Sequence, residues 1–428
     1  MVSIRLRCDF TLSLLVLTVG LITFPDSARA ADSGADQVFA RYQDQVVQIR
    51  VLDASSGSQS AVGSGFVVST AGDVVTNYHV VSPLIHKPER YRAEIVHSDD
   101  HRSPLTLLDF DAIHDVALVR TNRPQSNYFR FRSEPVAKGT RVFSIGNPQD
   151  LGMTIVEGTH SGLMEQTLYE SIHFTGSLNS GMSGGPAVTA DGSVVGVNVA
   201  TSGNQLSFLV PAKFAGRMLP ARAGEQRQQW LDKLRDQLLE HQENYLQRIF
   251  SNEWPTTSLG PYRVPGKIAE FVRCWGDSQQ RDEWLYKTTT QTCSFEDSIY
   301  LARDLRSGTL RFAHTYLSSE QLNRFRFYGL YQNRFSSVRS SARYGNEEHV
   351  GSLSCVDDLV ERDNLKMKAV FCIRGYKKLQ GLYDSILRIA TLDRNHAGLQ
   401  STVTLTGVSF HNARTFGQRF LHSIVADP

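Results

Sequence analysis

The 428-residue sequence predicts a closed all-β domain over residues 31–222, a helical linker over 223–252 and an α+β domain over 253–428. Three observations support this division. The first region contains many short apolar runs separated by Gly, Pro, Asn or Asp, which is typical of closed β architectures rather than βαβ units. The second region has apolar residues at helical spacing. The third region mixes strand-like and helix-like runs.

The strand candidates of the first region are short and apolar, and no long helical pattern interrupts them. They include QVVQIRVLD, GFVVST, DVVTNYHVV, VALVRT, RVFSIGN, PAVTA and VVGVNVA.

The helical segment covers residues 224–250, with apolar side chains at positions 230, 231, 234, 238, 245 and 249. Three interpretations are open: a closing helix of the first domain, a linker, or a seam for self-association. His241 interrupts the heptad, which favours a helix packed on its own domain over a coiled coil.

In the third region, GTLRFAHTYL, NLKMKAVFCIRGY and LQSTVTLTGVSF are expected to be strands, and the last 15 residues a helix. LYDSILRIATL is ambiguous. The aromatic run NRFRFYGLYQNRF at 323–335 is expected to be a strand that packs its rings on one face.

The N-terminus has the pattern of an export signal. Arg5 and Arg7 precede an apolar run over residues 10–24, and the small-x-small site Ala28-Arg29-Ala30 follows. The run is shorter than the roughly 20 residues that span a bilayer, which favours cleavage after Ala30 over a membrane anchor. We therefore expect a periplasmic or secreted protein with no stable membrane anchor after signal cleavage.

Four cysteines remain after the predicted signal: Cys274, Cys293, Cys355 and Cys372. An even number in an exported chain indicates two disulfides, and three pairings are open. Our prediction pairs nearest neighbours. Because no C-x-x-C pair is present, metal binding is disfavoured.

The charge and composition limit the classes of partner. A formal net charge of +2 gives no electrostatic case for nucleic acid or anionic membrane. No cofactor is expected. The oligomeric state is left open.

Three side chains of the first region could cooperate in nucleophilic catalysis. Ser183 lies in NSGMSGGPAV, His79 in VVTNYHVV, and Asp115 in HDVALVR. A serine hydroxyl needs a base within reach, and the base needs an acid that holds its tautomer. GMSGG also fits the elbow of α/β-hydrolases, but that elbow requires acid and histidine after the serine, and a helix directly behind it. The order His, Asp, Ser and the extended run after Pro186 disfavour the elbow.

Residues 40–215 resemble trypsin-like serine proteases, most closely the bacterial HtrA/Deg-type branch. The resemblance rests on six pieces in the family's order: GSGFVVS, TNYHVV, DVALVR, IGNP, NSGMSGGP and GVNVA…SFLVP. It implies two perpendicular six-stranded β-barrels with the catalytic groups between them.

The resemblance also implies residue roles. Ser183 would be the nucleophile, His79 the general base and acid, and Asp115 the orienting acid. The N–H groups of Gly181 and Ser183 would form the oxyanion hole. Met182 stands where HtrA/Deg-type proteins usually have asparagine and pancreatic-type relatives have aspartate, so activation by a new N-terminus is not expected.

The implied specificity pocket has its floor at Ser177. Val199 and Ala200 would line its wall, and Leu206 or Ser207 could shorten it. Without an acidic floor residue, we expect cleavage after small or medium apolar residues rather than after Lys or Arg.

Two functions therefore compete. The chain is either an exported serine endopeptidase or a catalytically silent trypsin-like binding protein that acts through its C-terminal domain. That domain resembles no family that we recognise, and it shows no PDZ-type carboxylate-binding loop.

Overall fold

The computed structural model describes residues 34–148, 151–199, 207–219, 227–279, 285–295, 298–337 and 347–427. The predicted signal peptide over 1–30 lies outside these ranges. Among the residues described, no helix has both the length and the apolar character needed to cross a membrane. The same residues contain no group of three His, Cys, Asp or Glu side chains that could hold a metal ion.

Six antiparallel strands form the first barrel. Helix α1 (Ala35–Tyr42) and a 3-10 turn (Gln43–Gln45) precede β1 (Val46–Asp53), β2 (Gln59–Val67), β3 (Asp73–Thr76), β4 (Tyr91–Val96), β5 (Arg102–Asp111) and β6 (Val116–Thr121). The strands close in the order β1-β2-β3-β6-β5-β4. Successive side chains of a strand face opposite sides, so Val116 and Leu118 enter the core shared with the next barrel, while Ala117 and Val119 enter a separate core.

The second barrel is also a ring of six antiparallel strands. Its strands are β8 (Arg141–Gly146), β9 (Thr154–Leu163), β10 (Ile172–Phe174), β11 (Pro186–Val188), β12 (Ser193–Val199) and β13 (Ser207–Pro211), with a two-residue β7 (Arg130–Phe131) parallel to β12. The ring runs β11-β8-β9-β10-β13-β12, and pairing of β11 with β12 closes it. The predicted pair of six-stranded barrels is confirmed.

The apolar run DVVTNYHVV is not one continuous strand. Strand β3 ends at Thr76, and helix α2 (Tyr78–His86) begins two residues later. Asn77 keeps an extended backbone, and its side chain donates to the Asp115 carbonyl at 2.7 Å. Val80, Val81 and Ile85 are buried at helical spacing, so tertiary burial overrides the β preference of the valines.

Helix α4 (Arg227–Phe250) lies within the segment predicted to be helical, and it follows the short helix α3 (Ala212–Gly216). Its first half, including Trp230 and Leu234, packs into a core with strands of the first barrel. Its second half, including Tyr245 and Ile249, packs into the core of the C-terminal region. The helix therefore contacts both halves of the chain.

The C-terminal region is built on one antiparallel seven-stranded sheet. In spatial order its strands are β16 (Arg273–Gln279), β17 (Lys287–Phe295), β20 (Leu310–Ser318), β24 (Ala397–Val408), β23 (Tyr383–Thr391), β22 (Leu365–Gly375) and β21 (Ser354–Arg362). The smaller elements are β14 (Thr256–Ser258), β15 (Tyr262–Pro265), β18 (Ile299–Ala302), β19 (Leu305–Ser307), α5 (Arg324–Ser337), α6 (Phe410–His422) and β25 (Val425–Ala426).

The expectation of a strand at 323–335 is wrong, because this segment forms most of α5. Phe327 and Tyr331, four residues apart, are buried together, whereas Phe325 is 71% exposed. The alternation of Arg with Phe resembles a strand, but the burial follows the helical period.

Two disulfides join neighbouring strands at the two edges of the seven-stranded sheet. Cys274 pairs with Cys293 between β16 and β17, and Cys355 pairs with Cys372 between β21 and β22. In both cases the cysteines lie directly opposite each other in the strand register. The nearest-neighbour pairing is the one that the structure has.

Candidate active site

Asp115 holds His79 at two points. The Nδ1–H of His79 donates to Oδ2 of Asp115 at 2.7 Å, and the backbone N–H of His79 donates to Oδ1 at 2.8 Å. Because a carboxylate only accepts, this bond leaves Nε2 of the neutral ring as an acceptor. The ring is thus oriented and prepared to take a proton at Nε2.

The backbone of Asp115 has an unusual conformation. Its φ is 55°, in the left-handed region that residues other than glycine seldom adopt. The Asn77 side chain donates to the Asp115 carbonyl at 2.7 Å, which ties this turn to the start of α2. A short turn before β6 therefore aims the carboxylate at His79.

Two opposing effects set the pKa of His79. Burial disfavours the imidazolium, but the negative charge of Asp115 and its hydrogen bond outweigh burial and raise the pKa of His79 above its ordinary value. The positive charge of Arg306 acts in the lowering direction. The pair therefore stabilises a protonated His79, the state that a general base reaches after accepting a proton.

The Ser183 loop packs directly against the residues that precede His79. Gly184 has a φ of 85°, and a Cβ there would lie 2.9 Å from the Asn77 nitrogen. A Cβ at Gly63 would lie 2.6 Å from Val80 and 3.2 Å from the Ser183 carbonyl oxygen. Only glycine permits both close approaches, which bring the serine loop to the start of α2.

Ser64 on β2 fixes the loop from one side. Its N–H donates to the Ser183 carbonyl at 2.7 Å, and its hydroxyl donates to the Gly181 carbonyl at 2.8 Å. The same hydroxyl accepts from the Asn147 N–H at 2.9 Å. One buried serine thus aligns three backbone segments.

Asn198 on β12 fixes the loop from the other side. Its carbonyl accepts from the Gly184 N–H at 3.0 Å, and its own N–H donates to the Gly185 carbonyl at 2.9 Å. Its side chain donates to the Met182 carbonyl at 3.3 Å. The Met182 side chain is fully buried in the core of the second barrel, with Leu178.

Gly181 lies two residues before Ser183 and has a backbone conformation that favours glycine. Its φ is 95°, and its N–H donates to no acceptor within the described part of the chain. Ser183 lies two residues on, with only 5% of its surface exposed. An unoccupied N–H beside a buried serine can bind a developing oxyanion.

The predicted pocket residues have different environments. Ser177 is exposed, and Val199 is half-buried at the end of β12. Ser207 is buried, and its hydroxyl accepts from the Leu178 N–H at 2.9 Å, so it lies beside the Ser177 segment. Ala200 and Leu206 are outside the described residues.

Sequence reasoning missed several residues of the site. Ser64, Asn77 and Asn198 stand inside the quoted motifs GSGF, TNYH and GVNVA, yet the motifs alone assigned them no role. Tyr300 of β18 was also missed, although its ring centroid lies 5.8 Å from that of His79. No local pattern could identify it, because the contact joins the two halves of the chain.

The comparisons with known proteins identify the barrel half of the chain. Residues 63–197 match the family model of the trypsin-like peptidase domain. Together with the double barrel, this match assigns the stretch to that domain family.

Within that class, the relatives are serine proteases of the HtrA/DegP type. The mitochondrial serine protease HTRA2 of Bos taurus is 31% identical over 220 residues, covering 48% of this chain and 46% of its own length. A probable periplasmic DegP-like serine endoprotease of Chlamydia pneumoniae is 31% identical over 174 residues, covering 38% and 34%. The chain thus spans between a third and a half of the length of these curated relatives.

Among solved structures, the active form of the Rv3671c protease from M. tuberculosis is similar. It has 22% sequence identity and a TM-score of 0.39, over 44% of this chain and 87% of that chain.

Asp115→Asn is expected to lower the pKa of His79 below its ordinary value of 6.5, because burial then acts without an opposing charge. In the unmodified chain this pKa should lie above 6.5. An NMR titration of ¹³C-labelled histidine measures both values, and His79→Gln identifies the signal.

Asp99→Asn is the matched control, since Asp99 is an exposed carboxylate paired with Arg123. An unchanged His79 titration in Asp115→Asn would contradict the prediction. Because the folded-state pKa is raised, the stability from protonated His79 is fully present below pH 6.5 and is lost as pH rises through the folded-state pKa. Urea unfolding of the chain and of His79→Gln across this range should show that loss.

Proposed function

We propose that the chain is an exported serine endopeptidase that hydrolyses peptide bonds through an acyl-enzyme. Ser183 is the nucleophile, His79 the general base and acid, and Asp115 the orienting acid. The observation that carries the proposal is the pair of hydrogen bonds from His79 to Asp115. The Ser183 loop packs against the start of α2, the helix that contains His79. The trypsin-like family match of residues 63–197 supports it.

The proposed reaction proceeds in two stages. Nε2 of His79 accepts the Ser183 hydroxyl proton as Oγ attacks the substrate carbonyl, and Asp115 stabilises the imidazolium. The N–H groups of Gly181 and Ser183 bind the oxyanion of the tetrahedral intermediate. The imidazolium then protonates the leaving amine, and a water molecule activated by His79 hydrolyses the acyl-enzyme.

The proposal predicts Ser183-dependent labelling by a fluorophosphonate probe. The unmodified chain should be labelled, and Ser183→Ala should not, because the probe reacts with an activated serine oxygen. Ser180→Ala is the matched control in the same loop, exposed and without an assigned role, and it should retain labelling. Absence of labelling in the unmodified chain, under conditions where it is folded, would overturn the proposal.

The proposed substrates are proteins or peptides cut after small or medium apolar residues. Ser177 at the pocket floor carries no charge to pair with Lys or Arg, and Val199 supplies an apolar wall. Digestion of a peptide library, with Ser183→Ala as the blank, should give cuts mainly after Ala, Val or similar residues. A digest dominated by cuts after Lys or Arg would reject this specificity.

Export to the periplasm or outside the cell is part of the proposal. The basic, apolar and small-residue segments of residues 1–30 support it, and so does the paired state of all four later cysteines. The DegP-like relative is described as periplasmic. Mass spectrometry of the exported chain should find Ala31 at the N-terminus, and retention of residues 1–30 would argue for an anchor instead.

A second candidate function is binding through the C-terminal domain without catalysis. A groove of about 1100 Å³ between α5 and the sheet, lined by Phe327, Tyr331 and Ile386 among others, favours this alternative. The fluorophosphonate experiment separates the two candidates, because a silent binding protein would not react at Ser183.

A further inference from the structure

The hairpin β18–β19 of the C-terminal region lies against helix α2 of the first barrel. Tyr78, the residue before His79, donates its hydroxyl to the Leu301 carbonyl at 3.0 Å. Ile299, Leu301 and Leu305 share one buried core with Val80. The residue before His79 is therefore hydrogen-bonded to this hairpin, and the residue after His79 lies in the same buried core as the hairpin.

Tyr300 approaches His79 itself. Successive side chains of a strand point in opposite directions, so Ile299 and Leu301 enter the core while Tyr300 points away from it. Its ring meets the His79 ring edge to face, with centroids 5.8 Å apart and planes at 67°. The Tyr300 side chain is half-buried, which leaves part of it open to the surface beside His79.

A second contact links Tyr300 to the backbone of His79. The Ser82 hydroxyl donates to the His79 carbonyl at 3.1 Å, and the Ser82 side chain lies close enough to Tyr300 to act on its hydroxyl. Tyr300 is thus close both to the His79 ring and to the serine that binds the His79 carbonyl.

The hairpin also carries a charge to the site. Arg306 of β19 is exposed and lies over the Tyr300 ring, 5.7 Å from its centroid. The groups that act on His79 are then Asp115 before β6, the Tyr300 ring on β18 and the charge of Arg306 on β19. Asp115 favours the imidazolium, and Arg306 opposes it.

We infer that Tyr300 is a positioning residue for His79, so that the C-terminal domain completes the active site of the barrel domain. This inference rests on the proposed function, in which His79 is the base. The Tyr300 ring restricts rotation of the imidazole away from Asp115, and Ser82, which lies close to Tyr300, binds the His79 carbonyl. The hairpin therefore has a catalytic consequence beyond packing.

Three variants at two positions, with matched controls, test the inference. Tyr300→Ala removes the ring and hydroxyl, whereas Tyr300→Phe keeps the edge contact. Arg306→Gln removes the charge, and Arg303→Gln in the same exposed turn is its control. Phe325→Ala removes an exposed ring on α5 and controls for loss of an aromatic residue.

We expect Tyr300→Ala to lower kcat/KM on a peptide substrate at least about tenfold, because misplacement of a catalytic group by a fraction of an ångström has effects of this order. Tyr300→Phe should recover most of the rate. Arg306→Gln should raise the pKa of His79 and move the acidic limb of kcat/KM to higher pH, since the base must be neutral to act. The Arg303→Gln and Phe325→Ala controls should match the unmodified chain.

The NMR titration of His79 supplies a readout that does not need activity. Tyr300→Ala should also raise the pKa of His79, because the ring then meets more water. If Tyr300→Ala fails to fold in a thermal melt, the Arg306→Gln arm decides, because Tyr300→Phe is expected to resemble the unmodified chain.

The outcomes separate the two ideas. If fluorophosphonate labelling fails but His79 titrates as expected in the variants, the proposed function falls and the contact between hairpin and His79 stands. If labelling succeeds but the hairpin variants match the unmodified chain in kcat/KM, pH profile and His79 titration, the inference is overturned. Unchanged titration in every variant overturns it whether or not the chain is active.

Discussion

The site depends on the two hydrogen bonds that one carboxylate accepts from one histidine. Asp115 accepts hydrogen bonds from both the ring and the backbone of His79, so a single side chain fixes the position and the tautomer of the imidazole. The positive φ of Asp115 and the bond from Asn77 to its carbonyl make this possible, because together they turn the carboxylate toward α2. Without that turn, burial alone would favour a neutral and less constrained histidine.

On the serine side of the cleft, hydrogen bonds from neighbouring residues fix the backbone of the Ser183 loop. Ser64 and Asn198 bind carbonyl and N–H groups on either side of Ser183, and glycines allow the chains to approach. The alignment is set by residues of the two different barrels, since Ser64 belongs to β2 and Asn198 to β12. The cleft is therefore shaped by how the barrels pack, as well as by the loop sequence.

A closed β domain and the cysteine pairs could be predicted because their signals are local, whereas the pair of six-stranded barrels was implied by the family resemblance of residues 40–215. Glycine-rich turns and short apolar runs mark strands, and cysteines close in sequence oppose each other in hairpins. The helix at Tyr78–His86 could not be predicted, because burial of Val80 and Val81 overrides their β preference. The prediction of a strand at 323–335 was wrong for a similar reason, since the alternation of residue types in the sequence does not show which rings are buried. The contact of Tyr300 with His79 could not be predicted, because contacts between distant segments leave no periodic pattern in the sequence.

The directly opposed cysteines have a consequence for how the C-terminal sheet is assembled. A slip of one residue between β16 and β17, or between β21 and β22, would turn the two sulfurs to opposite faces of the sheet. Each disulfide can then form only when its two strands are paired in the correct register. Formation of the disulfides therefore selects the correct register of the outermost strand pairs. Both margins of the sheet are covalently locked in that alignment, and neither can shear along its neighbour afterwards.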